Sequence, residues 1–546
     1  MKKIIFVIPL LLGLLAIFLL GSDEFERKAK ADEIALAQCI SHFPLTFSYQ
    51  NKYGEVSHGR ASLKKYKMGV DFSSYNRNED LNEVPNQVFQ NSSFWCIKEL
   101  NFNYNELSII PSGIENLPQL KRIHLENNRI TAIPAHIFDK NQNLKSVYLN
   151  NNNLKVLDLN TFKLMNNIYL NDNNIDTVLA IMDHNTVSKL EIRNNKLATL
   201  DLNAFKSITN LDLSRNRITK IRPLNPKRSS VIRTLNLTSN RLKRFPLAVQ
   251  ALYELDQLNL SHNYIGLDPS FSEFPFEKLL SIGKLDLNGN SFTRFPKELG
   301  KMPNLMYLEL DKNPIMGEVV FEGFNRLSKI EMKERAIESF IIKPASLAQL
   351  STLDLRDNQI HTFEIKTENT SLNNLHLQRN QLFSVPPSLN ALTGLSNLNL
   401  SDNQIETLPS LSQLIGLREL DLSKNFFTEI PELGQVYQEK KYYQDFILNL
   451  SINPIEVLDL ERVDKNITEL ILSRNKISSI QNLVELPNLR KLNLRDNSNL
   501  KEFPLEIFDY LINLETLNLK GTSIDDAMMR KIIKIARNKQ IRLIKI

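Results

Sequence analysis

A chain of 546 residues with 42% hydrophobic content can bury a large core, and unless it is one repeat array its length implies several domains. Its 67 basic and 61 acidic residues leave a net charge of +6, too small an excess to suggest the basic stripe of a nucleic-acid binder. Only two cysteines are present, Cys39 and Cys96, which excludes a disulfide-dense scaffold and a multi-cysteine zinc cluster.

The first element in chain order is an apolar run from Ile4 to Leu20, preceded by Lys2 and Lys3 and followed by the polar GSDEFERK. Such a segment addresses a chain to a membrane and is not part of the fold. As a helix its 17 residues span about 25 Å, short for a bilayer crossing and long for a signal-peptide core. The small pair Ala29 and Ala31 lies far from the run, which favours an uncleaved anchor, with a cleaved signal as the alternative. The run resembles a bacterial lipoprotein signal as far as Gly21, but Ser22 stands where that family requires a cysteine, so no lipid attachment is expected. Residues 1–31 are therefore set apart as signal peptide or N-terminal membrane anchor and linker, and residues 32–99 as an N-terminal cap anchored by Trp95. In an oxidising compartment Cys39 and Cys96 could form a disulfide across that cap, worth roughly 4 kcal/mol in the chain-entropy model. In the cytosol both would remain thiols.

From Leu100 a motif L-x-L-x-x-N-x-L recurs almost to the end of the chain, as in LDLSRNRI from Leu211, LNLTSNRL from Leu235 and LNLSDNQI from Leu398. There are 19 copies at spacings of 21 to 28 residues, and 17 keep the asparagine. The alternating L-x-L is a short strand whose leucines face the core. The asparagine sits where the backbone turns inside the packed interior, and its amide can both donate and accept there. Asn128, Asn152, Asn173, Asn195, Asn216, Asn240, Asn263, Asn290, Asn313, Asn358, Asn380, Asn403, Asn425 and Asn475 are expected to stack as a structural ladder, to which Asn105, Asn453 and Asn497 also belong. Arg335 and Thr522 replace the asparagine in two copies and should weaken the ladder locally. Segments such as FPKELGKMPNL place a proline bend and a helical turn behind each strand.

This pattern resembles the leucine-rich-repeat family over about four fifths of the chain, from residue 100 to 524. The resemblance implies an α/β solenoid, a curved horseshoe with a concave parallel β-sheet and short helices or turns on its convex side. The tail 525–546 then reads as a C-terminal cap, a helix followed by a strand. The cysteine-rich caps of animal extracellular members are absent, which points to a bacterial protein. Asn91, Asn236, Asn259, Asn399 and Asn466 head N-x-S/T triplets, but most of these arise from the repeat strand itself.

The residue between the two core positions of each strand forms a column facing any partner. Two stretches of it stand out. His124, Tyr148 and Tyr169, with Tyr104 nearby, make an aromatic patch of the kind found at interface hot spots, or else strand formers packing on one another. Glu191, Asp212, Asp286, Glu309, Glu331 and Asp354 make an acidic spine, which binds a protein of mixed charge unless Arg193, Lys333 and Arg356 neutralise it. The long spacings between Asn263 and Asn290, and between Asn425 and Asn453, mark either contact loops or longer outer elements.

No metal-ligand spacing, nucleophile elbow or phosphate loop is present, so no catalytic residue, metal or cofactor is assigned. The expectation is a non-enzymatic protein that recognises a protein partner through the concave face, with no nucleic-acid partner. It would be secreted, periplasmic or membrane-anchored, with the array outside the cytoplasm and its N-terminal segment in the membrane if uncleaved. The alternative is a scaffolding protein of the cell envelope with no dedicated ligand.

Overall fold

The computed structural model describes residues 45–50, 56–64, 69–73, 81, 84, 89 and 96–545, except 180–185, 226–228, 344–347, 367–370 and 434–444. The apolar run, Cys39 and Trp95 lie outside the described residues, as does most of the insert between Asn425 and Asn453. The chain divides into two units, Met1–Arg241 with Ala251–Leu255, and Leu242–Gln250 with Asp256–Ile546.

Unit 1 opens with an antiparallel hairpin, Leu45–Gln50 against Val56–Lys64, whose second strand pairs antiparallel with Gly69–Asp71. From there pairing is parallel, through Glu99–Asn101, Arg122–His124, Ser146–Tyr148, Asn167–Tyr169, Lys189–Glu191, Asn210–Asp212 and Thr234–Asn236. Each strand has only three residues. Its middle side chain (Leu100, Ile123, Val147, Ile168, Leu190, Leu211, Leu235) is at most 1% exposed, while the flanking residues point outward, as the two-residue period of a strand requires. A strand this short has no stability alone, so the sheet exists because each repeat buries its apolar edge against the next. Cys96 is buried and disulfide-bonded in this unit.

Unit 2 repeats the arrangement through Gln257–Asn259, Lys284–Asp286, Tyr307–Glu309, Lys329–Glu331, Thr352–Asp354, Asn374–His376 and Asn397–Asn399. It continues through Glu419–Asp421, Ile447–Asn449, Glu469–Ile471, Lys491–Asn493 and Thr516–Asn518. The last strand, Arg542–Ile544, pairs with Thr516–Asn518 after the helix Asp526–Asn538. Asp525 caps that helix, accepting from the Met528 N–H at 2.7 Å, and Ile532 and Ala536 are its buried face.

The asparagine ladder runs through both units. In unit 1, Asn128 Nδ2 donates to Phe102 O at 2.9 Å in the preceding repeat and to Leu125 O at 3.1 Å in its own, while its Oδ1 accepts from Leu107 N–H at 3.1 Å. In unit 2, Asn380 does the same with Leu355 O, Leu377 O and Ile360 N–H. Each amide thus satisfies backbone groups that water cannot reach, at about 1 kcal/mol net per bond and more if one is stranded. The residue before each ladder asparagine adopts a left-handed backbone, from Tyr104 (φ 57°) to Asp496 (φ 57°), filled mostly by Asn, Asp, Arg and Lys. Ile452, at φ 58°, is the β-branched exception.

Arg335 stands in for the asparagine only in part. Its guanidinium is buried and takes over the cross-repeat donation, reaching Leu310 O at 2.6 Å, Asn313 O at 3.3 Å and Asp311 Oδ1 at 3.0 Å. It is longer than asparagine, and it offers no acceptor for a backbone N–H. Around it the sheet loosens. Tyr307–Glu309 and Lys329–Glu331 are in register only at Tyr307 and Lys329, and a crevice of about 150 Å³ lies between them. At Thr522 the hydroxyl donates to Leu519 O at 2.9 Å in place of the amide.

The outer side is more varied than a proline bend and helical turn. Short 3-10 turns do follow proline-bearing segments, as at Lys297–Lys301 and Pro387–Ala391. Elsewhere a second parallel sheet forms behind the first, as at Val156–Asp158 with Thr177–Leu179, Val457–Asp459 with Ser479–Gln481, and Met316–Phe321 with Ala336–Ile342 and Thr362–Ile365. Those segments, such as GEVVF and ESFII, lack the proline and are rich in β-branched and aromatic residues, which suits a strand better than a turn. The long spacing before Asn290 holds two 3-10 turns, Pro269–Phe271 and Phe276–Lys278. Their rings pack with Phe245, with Phe245 and Phe276 5.1 Å apart, so the extra residues enlarge the core of unit 2.

Candidate functional site

Parallel pairing in strict register places the last residues of successive strands side by side, about 4.8 Å apart. In unit 1 this brings His124, Tyr148 and Tyr169 together on the exposed face of the sheet, in the register His124, Tyr148, Tyr169, Glu191. The rings stack: His124 on Tyr148 with centroids 4.4 Å apart and planes at 4°, and Tyr148 on Tyr169 at 4.7 Å and 3°. Lys189 Nζ lies 5.0 Å from the Tyr169 ring centre and 2.8 Å from Glu191 Oε1, which extends the row to the next strand. The strip is therefore a rigid aromatic surface with its ring edges outward.

Carboxylates and amides hold its border. The His124 imidazole lies between Glu99, 3.4 Å away, and Glu126, 3.5 Å away. Arg122 pairs with Glu99 at 2.6 Å. The contact with His124, then hydrogen bonds from Asn103 and Asn150, hold the Glu126 carboxyl below its ordinary value although burial opposes them. Burial, then the neighbouring Tyr169, pushes the Tyr148 hydroxyl up. Asn171 donates to Glu191 Oε2 at 2.9 Å, and the amide oxygens of Asn103, Asn150 and Asn171 accept backbone N–H groups of Glu126, Asn171 and Arg193. This second row of amides was missed in the sequence. Its signal is an asparagine two residues after each strand residue in NFNYN, YLNNN and YLNDN. Tyr104 sits apart in role, in the left-handed turn position, 44% exposed, with its N–H donating to Glu126 O.

The acidic residues fall in both units. Glu191 and Asp212 belong to unit 1, and Asp286, Glu309, Glu331 and Asp354 to unit 2. They differ in exposure, with Glu309 open on the sheet face and Glu191 and Glu331 part-exposed. Asp354 is buried, 4% exposed, and paired with Arg356 at 3.2 Å, which corrects its placing on an exposed column. The counter-charges of Glu191 and Glu331 are Lys189 and Lys329 at 2.8 and 2.7 Å, two residues before them, instead of Arg193 and Lys333 two residues after. A strand explains this, because residues two apart share a face. The Lys329 bond lowers Glu331, whereas burial raises Asp286, which accepts from Asn259 at 2.9 Å. Lys284 lies 3.5 Å from Glu309, and Asp212 accepts from the Ser214 N–H at 2.8 Å.

Repeats of this form, with a parallel sheet on one side and a buried asparagine ladder, define each unit as a leucine-rich-repeat solenoid. The leucine rich repeat family profile matches residues 118–175 and 206–265. Among curated proteins the chain is similar to human Podocan-like protein 1, 27% identical over 53% of this chain and 58% of that one. The chain spans about half the length of the curated relatives it matches. Among solved structures it resembles a leucine-rich-repeat protein of Leptospira interrogans, 21% identical over 87% of this chain and 94% of that one, with a TM-score of 0.47. It also resembles a chain of the Drosophila Toll–Spatzle complex, 16% identical over 85% and 76% of the two chains, with a TM-score of 0.50.

Proposed function

We propose that the chain is a non-enzymatic recognition protein that takes a protein partner on the exposed sheet face of unit 1, outside the cytoplasm. The observation that carries this reading is the stack of His124, Tyr148 and Tyr169 on that face. Tyrosines fixed by stacking offer a partner large contact area at little entropic cost, and such residues dominate interface energies. Repeat side chains on this face can vary without disturbing the fold, which suits a binding surface. The apolar run Ile4–Leu20 and the disulfide-bonded Cys96 support a location beyond the cytoplasm. The self-neutralised carboxylates of unit 2 favour a second reading for that unit alone, a scaffold that spaces its neighbours without a dedicated ligand.

Both parts are testable in the producing cell. Protease added to intact cells is expected to digest the repeats, and protection until permeabilisation would sink the extracellular reading. Tyr148→Ser with Tyr169→Ser is expected to abolish partner retention at unchanged melting temperature, whereas Glu309→Lys with Glu331→Lys should leave it intact. Retention that survives the tyrosine changes would refute the site.

A further inference from the structure

We propose that unit 1 carries a second binding site, for a neutral polyhydroxylated ligand such as an oligosaccharide, in an amide-lined groove beside the aromatic strip. The groove, about 710 Å³, crosses successive repeats at the turns that follow their strands. Asn127, Asn151, Asp172 and Asn194 line it, one per repeat, all in the left-handed backbone position before the ladder asparagine. Asn151 Nδ2 donates to Asn127 Oδ1 at 2.5 Å, and Asn194 Nδ2 to Asp172 Oδ1 at 2.7 Å. A primary amide has two N–H donors and two lone pairs on oxygen. Among the described residues, these bonds leave both N–H groups of Asn127 unspent, one each on Asn151 and Asn194, and the carbonyl oxygens of Asn151 and Asn194. The result is a row of adjacent donors and acceptors at the repeat spacing.

Backbone preference alone does not account for it. The left-handed position favours Asn and Asp, but in unit 2 several of the same positions hold ion pairs that consume their polar groups, as in Arg379 with Asp357 and Lys424 with Asp402. The groove also carries Asn150 and Asn174, which are not in that conformation. Its carboxylates Glu126 and Asp172 are matched by Lys196 and Arg217, so it offers no net attraction to a polyanion. It presents almost no apolar surface of the kind a protein hot spot buries. Hydroxyl groups, which each donate and accept, match such a lining. The groove shares Glu126 and Asn150 with the border of the aromatic strip, but none of its unspent amide groups belongs to the strip.

The test is a microarray of neutral hexose and N-acetylhexosamine oligosaccharides probed with the full chain, followed by calorimetry on the best retained oligosaccharide. Asn151→Asp with Asn194→Asp keeps residues that tolerate the left-handed backbone but withdraws the donors. It is expected to weaken binding by about tenfold or more, while Tyr148→Ser with Tyr169→Ser does not. If the double variant melts early, Asn194→Ser alone gives the same reading with less perturbation. Retention of no neutral glycan, retention only of sulfated or carboxylated glycans, or affinity indifferent to the asparagine changes would each overturn the assignment.

Discussion

Two residue types do most of the structural work in each repeat, and they work against different costs. The ladder asparagine removes the penalty of buried, unpaired backbone, so Asn380→Ala, which strands Leu355 O and Ile360 N–H, is expected to cost about 2–4 kcal/mol in chemical denaturation. The residue before it bears a backbone strain that asparagine tolerates and isoleucine does not. Ile452→Asn should therefore raise stability by about 1 kcal/mol, read as a higher denaturation midpoint, and a fall would contradict the strain account. The ladder was legible from the sequence because 17 of the 19 copies carry the same letter at the same offset. The left-handed position was not, because Tyr104, Asp172, Lys312 and Ile452 share no letter, only a φ near 57°.

At the scale of the element, the place where the repeat rule fails is also where the sheet loosens. Arg335 buries a charge among backbone carbonyls, and burial lowers its pKa while Asp311 opposes the shift. Arg335→Asn should restore the amide, draw Lys329–Glu331 back onto Tyr307–Glu309, and raise stability by about 1–2 kcal/mol, read as a higher midpoint, with slower hydrogen exchange at Leu310. Arg335→Ala should lower it, since Leu310 O then loses its donor. Asp286 gives the opposite lesson in charge. An acid whose pKa is raised by burial costs stability wherever it is ionised, and that cost fades as pH falls through its folded pKa. Asp286→Asn is thus expected to stabilise unit 2 by up to about 1 kcal/mol near neutral pH and by nothing in acid; an equal gain at both would show that charge is not the cause. The strands were readable from L-x-L. Their backs were less so, because segments such as GEVVF and ESFII differ from the proline-bearing turns in composition but follow no shared spacing.

For the whole molecule, the solenoid and a column of outward-facing strand residues were legible in the sequence, but not how that column is shared out. Aromatic letters at His124, Tyr148 and Tyr169 translated directly into a stack, because parallel register sets them side by side on adjacent strands. Acidic letters translated less directly, since Glu191 and Glu331 each found a lysine on their own strand, Glu309 one on the neighbouring strand, and Asp354 the interior. Recognition is therefore proposed for unit 1 and not for the carboxylates of unit 2. We also propose that Cys39 is the partner of Cys96, which predicts that neither takes up a thiol reagent in the unfolded chain until a reductant is added. The central claim is tested most directly by placing a photo-crosslinking benzoylphenylalanine at Tyr148 or Tyr169, with Asn399 in unit 2 as the control, and illuminating the producing cells. Discrete protein adducts at Tyr148 and Tyr169 but not at Asn399 are predicted, and their absence, or the same adducts at all three positions, would contradict it.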